Sequence, residues 1–230
     1  MSSSVQKHFA HIAHAYDRAN RILSLGRDHA WRQRMIGAVA AARAPRVLDL
    51  CAGTLECTLA LLERFPDARV TAIDFSREML ALGVEKLPAR VRPQVETVCV
   101  DAAEVDFPAS SFDVVLCAWG MRNLTDKARA ARKVRSWLAP SGQFLVLDFF
   151  RPTRLAERAL FSIAGVWLIP LVGGAVTGDC AAYRYLVRSI REGQCVDEFA
   201  GFLGQNGFHI RRIARLSPGP CALVIAQAPG

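Results

Sequence analysis

The chain has 230 residues, 52% of them hydrophobic and 22% charged, a composition that excludes a disordered protein and fits one folded domain. Its formal net charge is +8, but the arginines that supply most of it are scattered, which excludes the cationic run typical of nucleic-acid-binding tails. The seven cysteines show no C-x-x-C pair and no metal-ligand spacing. We therefore predict free thiols in a reducing cytoplasm and no metal site.

The N-terminal region predicts two helices ahead of the first strand. Apolar residues at helical spacing indicate a helix over Val5–Asn20, and a second is expected over Gly26–Ala42. We interpret residues 1–44 as a helical lid. Met1–His14 contains no apolar run, so we expect no signal peptide.

Short apolar runs alternate with amphipathic stretches from residue 46 to residue 149. Strands are predicted at Arg46–Cys51, Arg69–Asp74, Val95–Asp101, Phe112–Trp119 and Gln143–Phe149. Helices are predicted at Thr58–Phe65, Arg77–Lys86 and Asp126–Leu138, and a turn at Pro140–Gly142. This alternation indicates a parallel sheet with helices on both faces.

The last third of the chain adds helices and a closing pair of antiparallel strands. Helices are expected around Ala181–Arg191 and Val196–Asn206, and strands at Phe208–Leu216 and Ala222–Ala228. The fold class is therefore α/β: a doubly wound, mostly parallel seven-stranded sheet in a single domain, 1–230. Residues 150–206 are interpreted as a helical cap over the substrate.

One segment, Ala159–Gly178, contains no charged residue over about the length that spans a bilayer. Pro170 and three glycines lower its helical preference, and the α/β pattern resumes after it. We therefore favour a buried or membrane-facing lid over a transmembrane helix. A simple cap on the sheet and a homodimer interface are the alternatives.

Acidic and small residues follow the predicted strands. Asp74 ends the second strand, Asp101 the third and Ala118 the fourth, while a Gly53–Thr54 turn follows the first. In open α/β sheets, ligands bind at these strand ends. A small turn admits a ligand close to the backbone, and an acid after the second strand can accept both ribose hydroxyls. No G-x-G-x-x-G or G-K-[ST] motif favours a dinucleotide or a nucleoside triphosphate.

Three stretches resemble the S-adenosylmethionine (SAM) motifs of class I methyltransferases: Asp49–Glu56, Asp74–Leu80 and Phe112–Val115. Three more resemble the ubiquinone/menaquinone biosynthesis C-methyltransferases: Trp119–Asp126 (WGMRNLTD), Phe9–Asn20 and Tyr183–Ile190. The resemblance covers nearly the whole chain. It implies methyl transfer from SAM to a ring carbon of a polyprenylated quinol precursor.

The resemblance also implies the cofactor contacts: Asp49, Gly53, Thr54, Glu56, Asp74, Asp101, Ala102 and Ala118. Glu56 retains a carboxylate that can meet the methionine ammonium. One position departs from the family pattern, because its Gly-Thr-Gly-Asp reads Gly53-Thr54-Leu55-Glu56 here. A γ-branched side chain disfavours positive φ. We therefore expect either that Leu55 takes an ordinary conformation in a slightly displaced loop, or that SAM binding is weakened.

Catalysis with an activated methyl donor depends chiefly on positioning and on stabilising the quinol oxyanion. We predict that Arg122 stabilises the phenolate, since a guanidinium stays protonated. Asn123, Tyr16 and Tyr183 are expected to orient the ring. Histidines of the first helix are either the general base or part of a solvated face: His8, His11 and His14.

A polyprenylated quinol also implies an apolar groove for its tail. The uncharged segment and the arginines together predict peripheral association with the inner face of the membrane. A methyltransferase for another phenolic small molecule is one alternative. A cofactor-degenerate, non-catalytic member of a quinone-synthesis assembly, suggested by Leu55, is another. A nucleic-acid amino-methyltransferase is disfavoured, because Ala118–Met121 stands where its Asn/Asp-Pro-Pro-aromatic motif would be.

Overall fold

The computed structural model describes residues 3–41, 43–216 and 219–230. The strands are β1 Arg46–Leu50, β2 Arg69–Asp74, β3 Val95–Cys99, β4 Phe112–Ala118, β5 Leu138–Phe149, β6 His209–Leu216 and β7 Cys221–Gln227. They form one sheet in the order β3-β2-β1-β4-β5-β7-β6. β7 is antiparallel to β5 and β6, and the remaining neighbours are parallel. The predicted doubly wound, mostly parallel seven-stranded sheet is confirmed.

The helices are α1 Ser3–Leu23, α2 Arg27–Gly37, α3 Glu56–Arg64, α4 Arg77–Lys86, α5 Lys127–Trp137, α6 Leu155–Ile163, α7 Ile169–Thr177, α8 Cys180–Glu192 and α9 Val196–Gln205. Most begin and end within three residues of the predicted bounds. α2 is shorter than predicted, since its C-cap is Ala38. The amide of Ala40 donates instead to the Gln143 side chain, at 2.6 Å, as the chain turns towards β1.

The central strands are buried because helices cover both faces of the sheet. Side chains alternate between the faces along each strand. Leu48 and Val115 pack into one layer, with Trp137 of α5, whereas Val47 and Val114 pack into the other. These four strand residues have no exposed surface. The core therefore fixes the carboxyl ends of β1 and β4 side by side.

The predicted turn at Pro140–Gly142 lies inside the observed strand β5. Ser141 there has a φ of 61°, and the regular parallel pairing with β4 begins only at Gln143. The bend was therefore correctly located, but the backbone on either side of it is extended.

The uncharged segment forms the second half of α6, a π-helical turn at Ala164–Leu168, and α7. Leu155–Thr177 is, among the described residues, the one helical stretch that is long and apolar enough to cross a membrane by those two criteria. One side of it packs on α8: a Cβ on Gly173 would overlap the ring of Tyr183, and one on Gly174 would overlap Cys180. Glycine is needed at both positions for this close approach.

Candidate active site

A small cavity lies at the carboxyl ends of β1 and β4, where the strand order reverses. Its volume is about 40 Å³, and its lining includes five residues predicted from the sequence: Tyr16, Gly53, Asp74, Ala118 and Asn123. Cys51, Phe75, Met79, Trp119 and Gly120 complete the lining. The loop between β1 and α3 (residues 51–55, the first loop) thus meets the ends of β2 and β4 at one place, under α1.

Asp74 is fixed at the end of β2 by backbone amides. Its Oδ2 accepts the Gly53 amide at 2.9 Å, and its Oδ1 accepts the Ser76 amide at 2.9 Å. The side chain is only 6% exposed. Burial raises the pKa of Asp74, while these amide donors oppose the shift. The carboxylate therefore ties the first loop to β2 at the edge of the cavity.

Leu55 keeps the backbone conformation of a glycine. Its φ and ψ are 61° and 22°, so the expectation of an ordinary conformation is wrong. The left-handed residue directs the chain from the first loop into α3, for which Leu55 is the N-cap residue. Its side chain is fully buried in the layer that contains Val47, away from the cavity.

Charged side chains connect the first loop to α1 and α4. The Lys86 ammonium lies 2.8 Å from Glu56 Oε1 and also contacts Asp17, while the Thr54 hydroxyl donates to Asp17 at 2.7 Å. Arg32 pairs with Asp28 at 3.0 Å and extends the network towards Glu56. In this arrangement α1 is held over the loop that contains the predicted cofactor residues.

Asp49 lies beneath the first loop rather than in the cavity lining. It is 1% exposed, and its Oδ2 accepts the Thr58 hydroxyl at 2.7 Å. Burial raises the pKa of Asp49 to about 6, and the charge of Asp74 adds to the shift. Two carboxylates in a buried region favour a cationic ligand above them.

Asp101 and Ala102 follow β3 but do not line the cavity. Asp101 Oδ1 accepts the Ala103 amide at 3.0 Å, and Ala102 is buried. Their contact with a cofactor stays a prediction.

Arg122 is half-buried and lies next to Asp148, an acid that the motif analysis did not identify. Its Nη1 lies 2.6 Å from Asp148 Oδ1 and 2.6 Å from the Trp119 carbonyl oxygen, and its own amide donates to Asp148 Oδ2 at 3.0 Å. Asp148 raises the pKa of Arg122, against the opposing effect of desolvation. The buried Nε–H of Arg122 has no hydrogen-bond partner in the described part of the chain. Such an orphaned donor next to the cavity marks a place for an acceptor.

The other three catalytic candidates lie at two different places in the structure. Tyr16 and Asn123 line the cavity, whereas the Tyr183 ring is buried against Gly173. Burial raises the pKa of Tyr16, and the positive charge of Arg122 partly offsets this. Burial likewise raises the pKa of Tyr183 to about 12. Tyr185, two residues along α8 and so on a different side of the helix, donates to Asn123 Oδ1 at 3.1 Å.

Of the histidine candidates for the base, only His14 has a described side chain, and it does not line this cavity. His14 is exposed. The side chains of His8 and His11 lie outside the described residues.

Two functional candidates escaped the sequence analysis for different reasons. Asp148 follows an apolar run near the end of β5, and the rule that singled out Asp74 would also have found it. Tyr185 could not be told apart from Tyr183 by sequence, because both occur in the same motif. The orientation of α8 is needed to show that Tyr185 is the one that contacts Asn123.

The residues present fit SAM. Buried Asp74 and Asp49 lie below a loop in which a Cβ on Gly53 would meet open space, and half-buried Glu56 begins α3 directly after that loop. Carboxylates suit the sulfonium and ammonium charges and the ribose hydroxyls of this cofactor. A cavity of about 40 Å³ holds only a few water molecules, so the cavity must open for SAM to enter.

Searches of solved structures find class I methyltransferase folds. A SAM-dependent methyltransferase from Aquifex aeolicus has a TM-score of 0.65 at 15% identity, covering 92% of this chain and 97% of that one. The mitomycin 7-O-methyltransferase MmcR has a TM-score of 0.63 at 21% identity, with 88% and 55% covered. At these identities the similarity shows the fold alone.

Sequence relatives are closer. Demethylmenaquinone methyltransferase of Thermus thermophilus is 35% identical over 222 residues, 96% of this chain and 100% of that protein. The mitochondrial 2-methoxy-6-polyprenyl-1,4-benzoquinol methylase of Caenorhabditis elegans is 29% identical over 224 residues, 96% and 78% of the two chains. The model of the ubiE/COQ5 methyltransferase family matches residues 1–227. The chain therefore belongs to the ubiE/COQ5 methyltransferase family.

Proposed function

We propose that this enzyme transfers the methyl group of SAM to a ring carbon of a polyprenylated quinol precursor in ubiquinone or menaquinone biosynthesis. The observation that carries the proposal is the buried Arg122 Nε–H, which has no partner among the described residues and lies next to the cavity of the predicted SAM residues. A cation with a free donor suits a phenolate oxygen. The names of the relatives, demethylmenaquinone methyltransferase and a polyprenyl benzoquinol methylase, agree with this acceptor class.

Cofactor binding is assigned to the loop after β1 and the end of β2. SAM, when bound, supplies a methyl group already activated by its sulfonium charge. Asp74 accepts the ribose hydroxyls, and Glu56 exchanges Lys86 for the methionine ammonium as the cavity opens. Asp49 contributes negative charge from below. Further contacts with SAM along the same strand ends are assigned to Thr54, Asp101, Ala102 and Ala118.

Acceptor binding is assigned to residues after β4 and on α8. Arg122 stabilises the phenolate that pushes electron density to the ring carbon. Asn123, held by Tyr185, and Tyr16 orient the ring. Transfer would form the bond between ring carbon and methyl carbon and break the bond from sulfur to methyl, after which the ring carbon would give its proton to water. We assign the ring contact to Tyr185 in place of Tyr183, because Tyr183 packs against α7.

We propose that the enzyme works in the cytoplasm, on the inner face of the membrane. A polyprenyl tail resides in lipid, and the α6–α7 segment leaves a row of large apolar side chains exposed. Such a surface supports peripheral association.

The proposal is tested by SAM titration calorimetry followed by a methyl-transfer assay on detergent-dispersed acceptors. We expect SAM to bind, and turnover on a prenylated demethylmenaquinol or benzoquinol to exceed turnover on its tail-less analogue. SAM binding with equal turnover on both acceptors would remove the lipophilic-quinol assignment. Absence of SAM binding in the folded protein would remove the enzyme assignment.

A further inference from the structure

The surface of α6 and α7 carries most of the exposed large apolar side chains. Seven of the nine such residues in the described chain lie between positions 155 and 171: Leu155, Leu160, Ile163, Val166, Trp167, Leu168 and Leu171. Trp167 is 76% exposed and Ile163 72%. We call these seven residues the apolar face. A concentration of exposed apolar side chains of this kind marks an interaction site.

The other side of the same helices is already occupied by protein. Phe161 is buried, a Cβ on Gly165 would lie 3.2 Å from Val187 Cγ1, and Gly173 packs on Tyr183. A helix held on α8 in this way cannot cross a bilayer without breaking these contacts. The geometry instead suits a helix that lies along a surface, with its apolar face outward.

A basic cavity of about 450 Å³ adjoins the apolar face at the start of α6. It is lined by Arg151, Pro152, Thr153, Arg158, Phe161, Ser162 and Arg191. Arg151 is already paired, since its Nη2 lies 2.7 and 2.8 Å from the two Glu198 carboxylate oxygens. Arg158 and Arg191 have no ion pair or side-chain hydrogen bond within the described ranges. Two unpaired guanidinium groups with two nearby hydroxyls are suited to a phosphate.

We propose that the apolar face docks on an anionic bilayer and that the Arg158–Arg191 cavity binds the phosphate of an anionic phospholipid. α6 joins the two features, because it contributes Leu160 and Ile163 to the apolar face and Arg158 and Ser162 to the cavity. Trp167 lies at the headgroup level, where tryptophan is favoured. The inference deepens the proposed function and rests on it in one respect: a polyprenylated acceptor is reached from the bilayer.

Charge complementarity selects the bilayer over a second copy of this chain. The chain carries a formal charge of +8, so two copies repel each other, whereas an anionic leaflet attracts each of them. A symmetric dimer through the apolar face would also bring two unpaired arginine pairs together. The bilayer supplies phosphates for these arginines and hydrocarbon for the apolar side chains.

Vesicle co-sedimentation tests the cavity. The full chain is mixed with phosphatidylcholine vesicles, with or without phosphatidylglycerol. We expect binding to the anionic vesicles, weakened by salt and at least tenfold weaker for Arg158→Glu/Arg191→Glu. The matched control is Arg132→Glu/Arg212→Glu, on exposed residues of α5 and β6; each double variant changes the formal charge from +8 to +4. Equal loss in the two double variants would overturn the cavity assignment.

Tryptophan quenching tests the apolar face. Of the four tryptophans, Trp31 and Trp137 are buried and Trp119 is half-buried, so Trp167 is the exposed one. Brominated lipids in the vesicles should quench a large part of the fluorescence, and Trp167→Phe should remove that quenchable part while vesicle binding remains. Leu160→Ser/Leu171→Ser should weaken vesicle binding at least tenfold, whereas Leu25→Ser, at another exposed leucine, should not. Quenching that persists in Trp167→Phe would overturn the proposed orientation.

Two further outcomes also oppose the proposal. In the first, the parent chain forms dimers and does not bind vesicles, and the dimers dissociate in Leu160→Ser/Leu171→Ser. That result would assign the apolar face to a second copy of the chain. Calorimetric binding of inorganic phosphate in the cavity, with vesicle affinity unchanged in Arg158→Glu/Arg191→Glu, would assign the cavity to a soluble phosphate compound. SAM binding and turnover on detergent-dispersed quinol should stay unchanged in all these variants, so docking and catalysis are tested separately.

Discussion

The side chain of Leu55 occupies the space that a side chain on Gly83 would need. A Cβ on Gly83 would overlap Leu55 Cγ and would lie 2.9 Å from the Thr54 carbonyl carbon. Leu55 has a positive φ and no exposed surface, so its side chain packs against α4 while its backbone keeps the glycine-like turn. Gly83 of α4 therefore compensates for the large Leu55 of the loop. Leu55 is thus no longer a reason to expect a degenerate cofactor site.

Gly83→Ala should destabilise the fold and disturb the cofactor loop. The added methyl overlaps a buried side chain and approaches backbone, a type of overpacking that costs about 1–3 kcal/mol. Leu55→Gly relieves backbone strain of about 1 kcal/mol but removes a buried leucine, which costs about 2–5 kcal/mol, so it should lower the free energy of unfolding. Urea unfolding and SAM calorimetry measure both effects.

The double variant shows whether the two residues act together. In the Leu55→Gly background, Gly83→Ala should cost at least about 1 kcal/mol less than in the parent chain, with some cost remaining from the Thr54 carbonyl. Gly201→Ala is the control, because its added methyl meets nothing within 4 Å and should stabilise α9. Additive costs for Leu55→Gly and Gly83→Ala would contradict the compensation.

The sheet was predictable because its apolar runs and strand-end acids are local patterns. Asp74 and Gly53 are brought together simply by the order of β1 and β2, which the α/β rules already fix. Leu55 was misjudged because Gly83 is 28 positions away, and no local pattern pairs them. Lys86 was missed for the same reason, since its partner Glu56 is 30 positions away. Choosing Tyr185 over Tyr183 required the orientation of α8.

Asp74→Ala should weaken SAM binding without unfolding the chain. The change leaves two ribose hydroxyls without an acceptor, which costs about 1–3 kcal/mol, or about 5- to 150-fold in affinity. Calorimetry measures the affinity, and circular dichroism verifies the fold. Asp67→Ala, which removes an exposed partner of Arg43, is the control and should bind SAM normally. An unchanged affinity in Asp74→Ala would mean that the cofactor pocket lies elsewhere.

Asp49→Asn should stabilise the protein more at neutral than at acidic pH. The folded-state pKa of Asp49 is raised from 3.8 to about 6, so its ionisation opposes folding as the pH rises through this window. The amide still accepts the Thr58 hydrogen bond and carries no charge. The gain in the free energy of unfolding should be about 2 kcal/mol larger at pH 7.5 than at pH 4.5.

Asp113, at the start of β4, provides the opposite sign as a control. Arg46 lowers the pKa of Asp113. The stability that Asp113 contributes is therefore present above its unfolded pKa and is lost as the pH falls, so Asp113→Asn should destabilise more at pH 7.5 than at pH 4.5. Urea unfolding of both variants at the two pH values measures this. Equal gains for Asp49→Asn at both pH values would show that Asp49 is not protonated near pH 6.

Arg122 should act on turnover rather than on cofactor binding. The charge that it stabilises develops on the acceptor during the reaction, so Arg122→Ala should lower turnover at least about tenfold with little change in SAM affinity. Arg122→Lys keeps the charge but removes the Nε–H and the double contact of Nη1 with Asp148 and Trp119, so it should not restore the rate. Single-turnover assays on detergent-dispersed prenylated quinol measure the effect, with the exposed Arg132→Ala as control. Full activity in either Arg122 variant would contradict the role of Arg122 in stabilising the phenolate, but not the methyltransferase fold.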